Sequence, residues 1–249
     1  MHIVAIIPAR YNSTRLRGKP LELISDKPMI WWVYNKIKSI DSIDEIYVAT
    51  DDQRIVDVCN QHSIRNIMTK ASHPTAANRL FEVSERVKAD FYLQINGDEP
   101  LIDADVVKAI IPTVVPQDVE YGINLITKTK NPAQVMDSSN IKVVFDNEYN
   151  ALYMSRNPIP YPFKSVEYQY YKHLGIIGYN KKMLDFYNES VPGYLEKIEG
   201  IDTMRFIDYN KQLKFVEVDS YESLSVDTEQ DLEIVRKIMF ERGEVNEKY

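Results

Sequence analysis

The sequence predicts an α/β fold: a mainly parallel sheet flanked by helices, continued by a smaller mixed α+β region. Three observations carry that reading. In the first half, short apolar runs alternate with segments of helical period, the pattern of a parallel sheet with helices on both faces. The first apolar run breaks into a loop with four cations, and the carboxyl end of a first strand is where an α/β protein binds an anion. In the second half strand follows strand with few helices between, which implies a mixed sheet. The 249 residues suffice to bury a full core, as one large domain or a domain with a subdomain, and 44% hydrophobic content is ordinary for a globular chain.

The elements follow in order. Residues 3–7, Ile-Val-Ala-Ile-Ile, read as a buried strand that ends at Pro8. The loop beyond it carries Arg10, Arg15, Arg17 and Lys19. Its one glycine, Gly18, is too few for a Walker loop, so a phosphate there is held by side-chain cations and backbone amides. Met29, Ile30, Trp32, Val33 and Ile37 recur at helical spacing and predict a helix over 28–39. Residues 45–50 form a second strand, and Thr50-Asp51-Asp52 is an N-cap signature for a helix over 53–62. A short strand over 64–68 leads to a polar loop over 69–79 and a helix over 79–88. The strand at 91–96 ends in Gly97-Asp98-Glu99-Pro100, ahead of a helix over 103–114. Strands are expected over 121–129, 141–145, 152–156 and 173–179, and helices over 183–188 and 196–209. A strand over 213–218 and a helix over 228–242 complete the pattern, with a fraying tail at 243–249.

A net charge of −7 argues against a nucleic-acid surface and leaves the basic loop as a site for a small anion. The single cysteine, Cys59, excludes an internal disulfide and a cysteine-cluster metal site, and its amphipathic helical setting puts it in the core. No apolar run approaches the roughly 18 residues of a membrane span. The amino terminus reads as a folded strand rather than a signal peptide, so a cytoplasmic protein is expected. Tyrosines cluster over 149–194, as at a sheet interface or a sugar-binding wall.

Two carboxylates stand out. Asp98 directly follows a strand, where either a metal ligand or a turn residue would sit. Mg²⁺ usually takes one or two protein carboxylates and fills its other positions with water and phosphate oxygens. Asp227 offers a second carboxylate, but it also reads as a helix N-cap, with Gln230 or Asp231 completing a capping box. Asp51 and Asp52 suit the start of a helix through its dipole and are read as structural. His2, His62 and His73 read as surface or loop residues, whereas His173 opens a strand and is kept as a candidate. No G-x-S-x-G motif and no local serine–histidine–acid arrangement occurs.

The opening run Ile7-Pro8-Ala9-Arg10-Tyr11-Asn12-Ser13-Thr14-Arg15-Leu16-Arg17-Gly18-Lys19-Pro20-Leu21 resembles the first motif of the CMP-Kdo synthetases, the 3-deoxy-manno-octulosonate cytidylyltransferases. Further segments match in order: Thr50-Asp51-Asp52-Gln53-Arg54-Ile55, Gly97-Asp98-Glu99-Pro100-Leu101-Ile102, Tyr153 to Tyr161, His173-Leu174-Gly175-Ile176, Leu195 to Glu199, and Val226 to Leu232. The resemblance spans nearly the whole chain. It implies a Rossmann-like nucleotide-diphospho-sugar transferase fold in one cytidylyltransferase domain. Residues 1–120 and about 210–249 would form the nucleotide-binding core, and about 121–209 the acceptor-binding and dimerisation region. It further implies that CTP is coupled to an acidic sugar, with release of pyrophosphate, in a homodimer. Arg10, Lys19 and Asp98 take the catalytic places. Pro8, Ala9, Arg10, Arg15, Lys19, Thr50, Asp51, Thr75, Arg79 and Gly97 would contact the nucleotide. Asn96, Arg156, His173, Glu199, Asp202 and Thr203 would contact the acceptor. Asp98 and Asp227 match the Mg²⁺ ligands, which reverses the capping preference for Asp227. Arg17 matches no family role.

Departures from the family pattern are concentrated. The H-x-S-G-T-D-R motif stands here as His73-Pro74-Thr75-Ala76-Ala77-Asn78-Arg79. The glutamine before G-D-E-P is Asn96, and L-E-Q-L-R is Ile201-Asp202-Thr203-Met204-Arg205. The triphosphate and metal positions are intact, while the sugar-side positions are altered. A lost partner in a buried site costs about 1–3 kcal/mol, so the acceptor is expected to be Kdo, a modified octulosonate such as the 8-amino analogue, or another acid such as a phosphonate. A catalytically silent nucleotide-binding relative is the alternative of a different class.

Overall fold

The computed structural model describes residues 1–13, 15–164, 168–219, 221 and 224–245. Thr14 of the opening motif and residues 246–249 of the expected tail lie outside them. The first half contains β1 (Ile3–Ala9), a 3-10 turn at Lys19–Leu21, a small hairpin of β2 (Leu23–Ile24) and β3 (Lys27–Pro28), α1 (Met29–Lys38), β4 (Glu45–Thr50), α2 (Gln53–Gln61), β5 (Asn66–Met68), α3 (Ala76–Arg86), β6 (Phe91–Ile95) and α4 (Ala104–Lys108). The second half contains β7 (Gly122–Thr129), α5 (Pro132–Met136), β8 (Lys142–Phe145), β9 (Ala151–Ser155), β10 (Tyr170–Tyr179), α6 (Lys181–Glu189), α7 (Tyr194–Glu199), α8 (Met204–Asp208), β11 (Leu213–Val218) and α9 (Glu229–Glu241).

The main sheet has the order β11-β7-β10-β6-β1-β4-β5, with β8 branching from β10 and β9 beyond it. β1 lies parallel between β4 and β6. Ile3 to Ile7 are essentially inaccessible, as a run of apolar residues requires of a strand buried on both faces. β10 runs antiparallel to both β6 and β7, while β11 returns parallel to β7. This is the expected Rossmann-like α/β sheet, with its mixed part where strands follow one another directly. Helix α1 closes one face through Met29, Ile30, Val33, Tyr34 and Ile37, and Cys59 is buried in the same core.

Several boundaries differ from expectation. α3 starts at Ala76, because the Thr75 hydroxyl accepts from Asn78 N–H at 3.3 Å and caps the helix. α4 stops at Lys108, short of Pro112, whose ring disfavours helical backbone just before it. The single helix expected over 196–209 is two, separated at Gly200, which adopts left-handed backbone with φ 62°. α5 was not anticipated, although Asn131 and Pro132 mark its cap and first residue. The chain does not fray at 243: Val245 is buried beside Leu16 and Leu232, and Glu244 meets Lys36 at 3.0 Å.

One irregularity bears on the site. The β10–β7 register shifts between His173 and Ile177. There the buried Asn124 amide donates to Leu174 O at 2.9 Å and Ile176 O at 3.0 Å, so both carbonyls of the bulge are satisfied. Gly175, between them, accepts from Asn96 N–H at 3.3 Å across the end of β6.

Candidate active site

The loop after β1, the start of α3 and the end of β6 enclose a cleft of about 450 Å³. Nine of the expected residues line it: Pro8, Ala9, Arg10, Lys19, Thr75, Asn96, Gly97, Asp98 and Asp202. A larger groove of about 900 Å³ beside β7, α5 and β10 contains none of them.

Local backbone chemistry aims Lys19 into this cleft. Gly18 has left-handed backbone (φ 75°), and its N–H donates to Tyr11 O at 2.8 Å, which folds the loop back on itself. The Lys19 ammonium then lies 2.6 Å from Asp98 Oδ2 and 3.1 Å from Asp227 Oδ1. Burial alone would depress its pKa, but the two carboxylates outweigh that and raise it, so the lysine stays charged. Arg15 Nη2 reaches Asp227 Oδ2 at 2.8 Å. The sequence places Asp98 and Asp227 far apart; Val226 N–H, donating to Asp98 O at 2.8 Å, fastens the two segments together.

Asp227 does not cap α9. Thr228 does, its hydroxyl accepting from Asp231 N–H at 3.2 Å. Asp231 Oδ2 in turn accepts from the Asp227 and Thr228 N–H groups, so the capping box is complete and the Asp227 carboxylate is left for Lys19 and Arg15. Asp98 Oδ1 is buried and has no hydrogen-bond partner. A buried anionic oxygen left over beside a second carboxylate suits a divalent cation. Among the described residues there is no group of three or more His, Cys, Asp or Glu side chains that could hold a metal ion.

Other nucleotide-side residues lie around this floor. Arg10 Nη2 donates to His73 O at 3.1 Å, and the His73 ring pairs with Glu82. Thr50, Asp51 and Arg79 stand outside the cleft lining, and Arg15 and Asp227 adjoin it through Lys19 without lining it. Arg79 is wholly buried, bonded to Thr69 and 3.4 Å from Asp51, with Nε and Nη2 lacking hydrogen-bond partners. Arg17 lies over the Tyr11 ring at 5.7 Å, and Arg54 covers that ring at 3.3 Å.

The structure brings only part of the acceptor-side set to the cleft lining. Only Asn96 and Asp202 line the cleft. Burial, then the neighbouring Glu196, raises the Asp202 carboxyl, while Arg205 and Arg10 oppose the shift. Thr203 is buried and donates to Met154 Sδ at 3.4 Å. The Arg156 guanidinium, expected to grip a carboxylate, donates instead to three carbonyls: Glu199 O at 2.8 Å, Ser138 O at 2.9 Å and Gly200 O at 3.0 Å. The Glu199 carboxylate is held by Ser155 and the Arg156 N–H. Burial depresses His173 to about 4, so its ring is neutral near pH 7 and offers an acid no charge.

The structure also adds residues. Arg205, the last residue of the altered L-E-Q-L-R motif, grips Glu196 bidentately at 2.7 and 2.6 Å and lies over the Tyr187 ring at 3.9 Å. That buried pair ties α8, and with it Asp202, to α7. Glu99 is 4% exposed, its Oε2 has no hydrogen-bond partner, and it is pushed up to about 8, chiefly by burial and then by Asp98. Its place in G-D-E-P was the available signal.

A family model described as cytidylyltransferase matches residues 4–220. The chain belongs to the cytidylyltransferase family. As a member of that family it is a nucleotidyltransferase. It is 36% identical to a 3-deoxy-manno-octulosonate cytidylyltransferase of Fusobacterium nucleatum, over 94% of this chain and 96% of that one. It is 34% identical to an 8-amino-3,8-dideoxy-manno-octulosonate cytidylyltransferase of Shewanella halifaxensis, over 94% and 97% respectively. Among solved structures it is similar to a CMP:2-keto-3-deoxy-manno-octonic acid synthetase complexed with CTP, with TM-score 0.90 and 34% identity, covering 97% of this chain and all of that one. An inositol-1-phosphate CTP transferase of T. maritima, at 16% identity and TM-score 0.68, shares the fold. The cytidylyltransferase has no helix, among its described residues, long and apolar enough to cross a membrane.

Proposed function

We propose that this cytidylyltransferase couples CTP, with Mg²⁺, to Kdo or a Kdo-like 2-keto acid, giving a CMP-sugar and pyrophosphate. The observation that carries the reading is the floor of the cleft: Lys19 between Asp98 and Asp227, with Arg15 on Asp227 and Asp98 Oδ1 unpartnered. Arg10, Arg15 and Lys19 bind the triphosphate, and the amino terminus of α3 adds its dipole. Arg79 and the segment at Thr50 and Asp51 shape the nucleotide pocket from behind.

In the reaction the acceptor hydroxyl oxygen bonds to the α-phosphorus, and the bond from that phosphorus to the bridging oxygen breaks. Charge builds on the departing pyrophosphate, where the Lys19 ammonium and the Arg10 guanidinium meet it. Asp98 and Asp227 would hold Mg²⁺, which when bound neutralises phosphate charge and acidifies the attacking hydroxyl. Asn96 and Asp202 form the acceptor side, orienting hydroxyls by hydrogen bonds. A cationic substituent on the acceptor also suits the Asp202 carboxyl on the cleft lining. That favours an 8-amino acid as the second reading.

The same proposal includes a cytoplasmic homodimer, with 1–120 and about 210–249 as nucleotide core and about 121–209 as the acceptor and dimer region. Exposed Met136, Tyr161, Phe163 and Tyr168 supply the apolar face a second copy needs. Pyrophosphate release from CTP, measured across Kdo, 8-amino-Kdo and a small phosphonate with and without chelator, tests the reading. Turnover of Kdo or its 8-amino analogue that stops on chelation is expected. Turnover of neither acid, or turnover indifferent to chelation, sinks it.

A further inference from the structure

Asn96 is the one asparagine among the acceptor-side candidates, and an amide can present either a donor or an acceptor to the cleft. Three neighbours decide which. Glu99 is buried behind it, with Oε1 beside the same Gly175 recess that the Asn96 amide enters. Gly175 leaves vacant the space that the amide fills: a Cβ there would lie 2.1 Å from Asn96 Nδ2 and 2.7 Å from Glu99 Oε1. Asn124 holds the β10 bulge that carries Gly175 to this spot, through Leu174 O and Ile176 O. The NH₂ group of Asn96 therefore sits in the Gly175 recess, on the side of Glu99 Oε1. Its Oδ1 is the atom left for the cleft.

We propose that Glu99 and Gly175 are positioning residues that lock the Asn96 amide so that it accepts a hydrogen bond from a hydroxyl of the acceptor. This rests on the acceptor reading above and adds a specificity rule to it: an acceptor lacking a hydroxyl donor at that point is discriminated against. Glu99 touches no reacting atom in this account. It acts only through Asn96.

The test combines kinetics with a signal that needs no acceptor. Glu99→Leu and Gly175→Ala are each expected to raise KM for Kdo about tenfold, the scale of one buried hydrogen bond, with KM for CTP within about twofold of wild type. In an Asn96→Ala background Glu99→Leu is expected to add nothing to the acceptor KM. In isotope-labelled protein without ligands, the Asn96 side-chain NH₂ resonance of wild type should be slow to exchange, and Glu99→Leu should abolish that protection. Independent, additive effects of Glu99→Leu and Asn96→Ala overturn the proposal, as does an unchanged acceptor KM in Gly175→Ala. An unprotected Asn96 amide in wild type overturns it as well. If wild type turns over no Kdo, the acceptor reading fails, and the amide signal still decides whether the lock exists. Should Glu99→Leu not fold, Gly175→Ala carries both readouts.

Discussion

At the scale of single residues, the site turns on one lysine and two aspartates with unlike neighbours. Lys19 neutralises two carboxylates from distant parts of the chain, so Lys19→Met removes that pairing and, in the proposed reaction, a phosphate contact as well. Its kcat should fall about 10²- to 10³-fold, with a far smaller change in thermal midpoint, as read by pyrophosphate release beside a melting curve. Asp227 and Thr228 make a sharper pair. The sequence offered Asp227 as the cap of α9, but the hydroxyl of Thr228 takes that place. Asp227→Ala should lose turnover and keep its melting temperature, whereas Thr228→Ala should keep turnover and lose about 1 kcal/mol of stability in denaturant titration. The reverse pattern would restore the capping reading of Asp227.

At the scale of elements, the acceptor wall is only as firm as the join between α7 and α8. Arg205 and Glu196 form a buried pair across it, with Tyr187 O and Ser190 O completing the guanidinium's bonds. Removing one partner of a buried pair leaves the other uncompensated. Arg205→Met should therefore cost about 3–5 kcal/mol, seen as a lowered midpoint in urea. β10 makes a second prediction. His173 is held neutral by burial, with its pKa lowered from 6.5 to about 4. Between those values the unfolded chain binds a proton that the folded chain refuses, so stability falls as pH drops through the window and is full above it. His173→Leu should flatten that acid loss, which is on the order of 3 kcal/mol in melts taken from pH 7 to pH 4. Short elements were the least legible. α5 is five residues long, and the start of α3 depended on whether Thr75 or a later residue ended the loop. Local sequence weakly specifies a boundary that one side-chain hydrogen bond decides.

At the scale of the molecule, the order of strands sets the ends of β1 and β6 side by side, where Arg10, Arg15, Lys19, residues 96–98, Asp202 and Asp227 gather. The exposed aromatic face near Tyr161, Phe163 and Tyr168 lies in the strand-rich half, where the dimer region was expected. Phe163→Glu should convert a dimer into a monomer in light scattering, and a wild-type monomer across the micromolar range would refute the dimer.

The sequence by itself determined the α/β class, the cationic loop after β1, and the carboxylates at 98 and 227. Each is written in neighbouring residues: an apolar run, a cluster of charge, an aspartate after a strand. The tertiary structure decided how those parts meet. It left Arg156, His173, Glu199 and Thr203 out of the cleft lining, and set Glu99, Gly175 and Arg205 beside the residues that remain. Those outcomes rest on burial and on hydrogen bonds between segments far apart in the chain. Whether an arginine meets a substrate carboxylate or three backbone carbonyls is fixed by where the chain folds those carbonyls, and no local pattern records that.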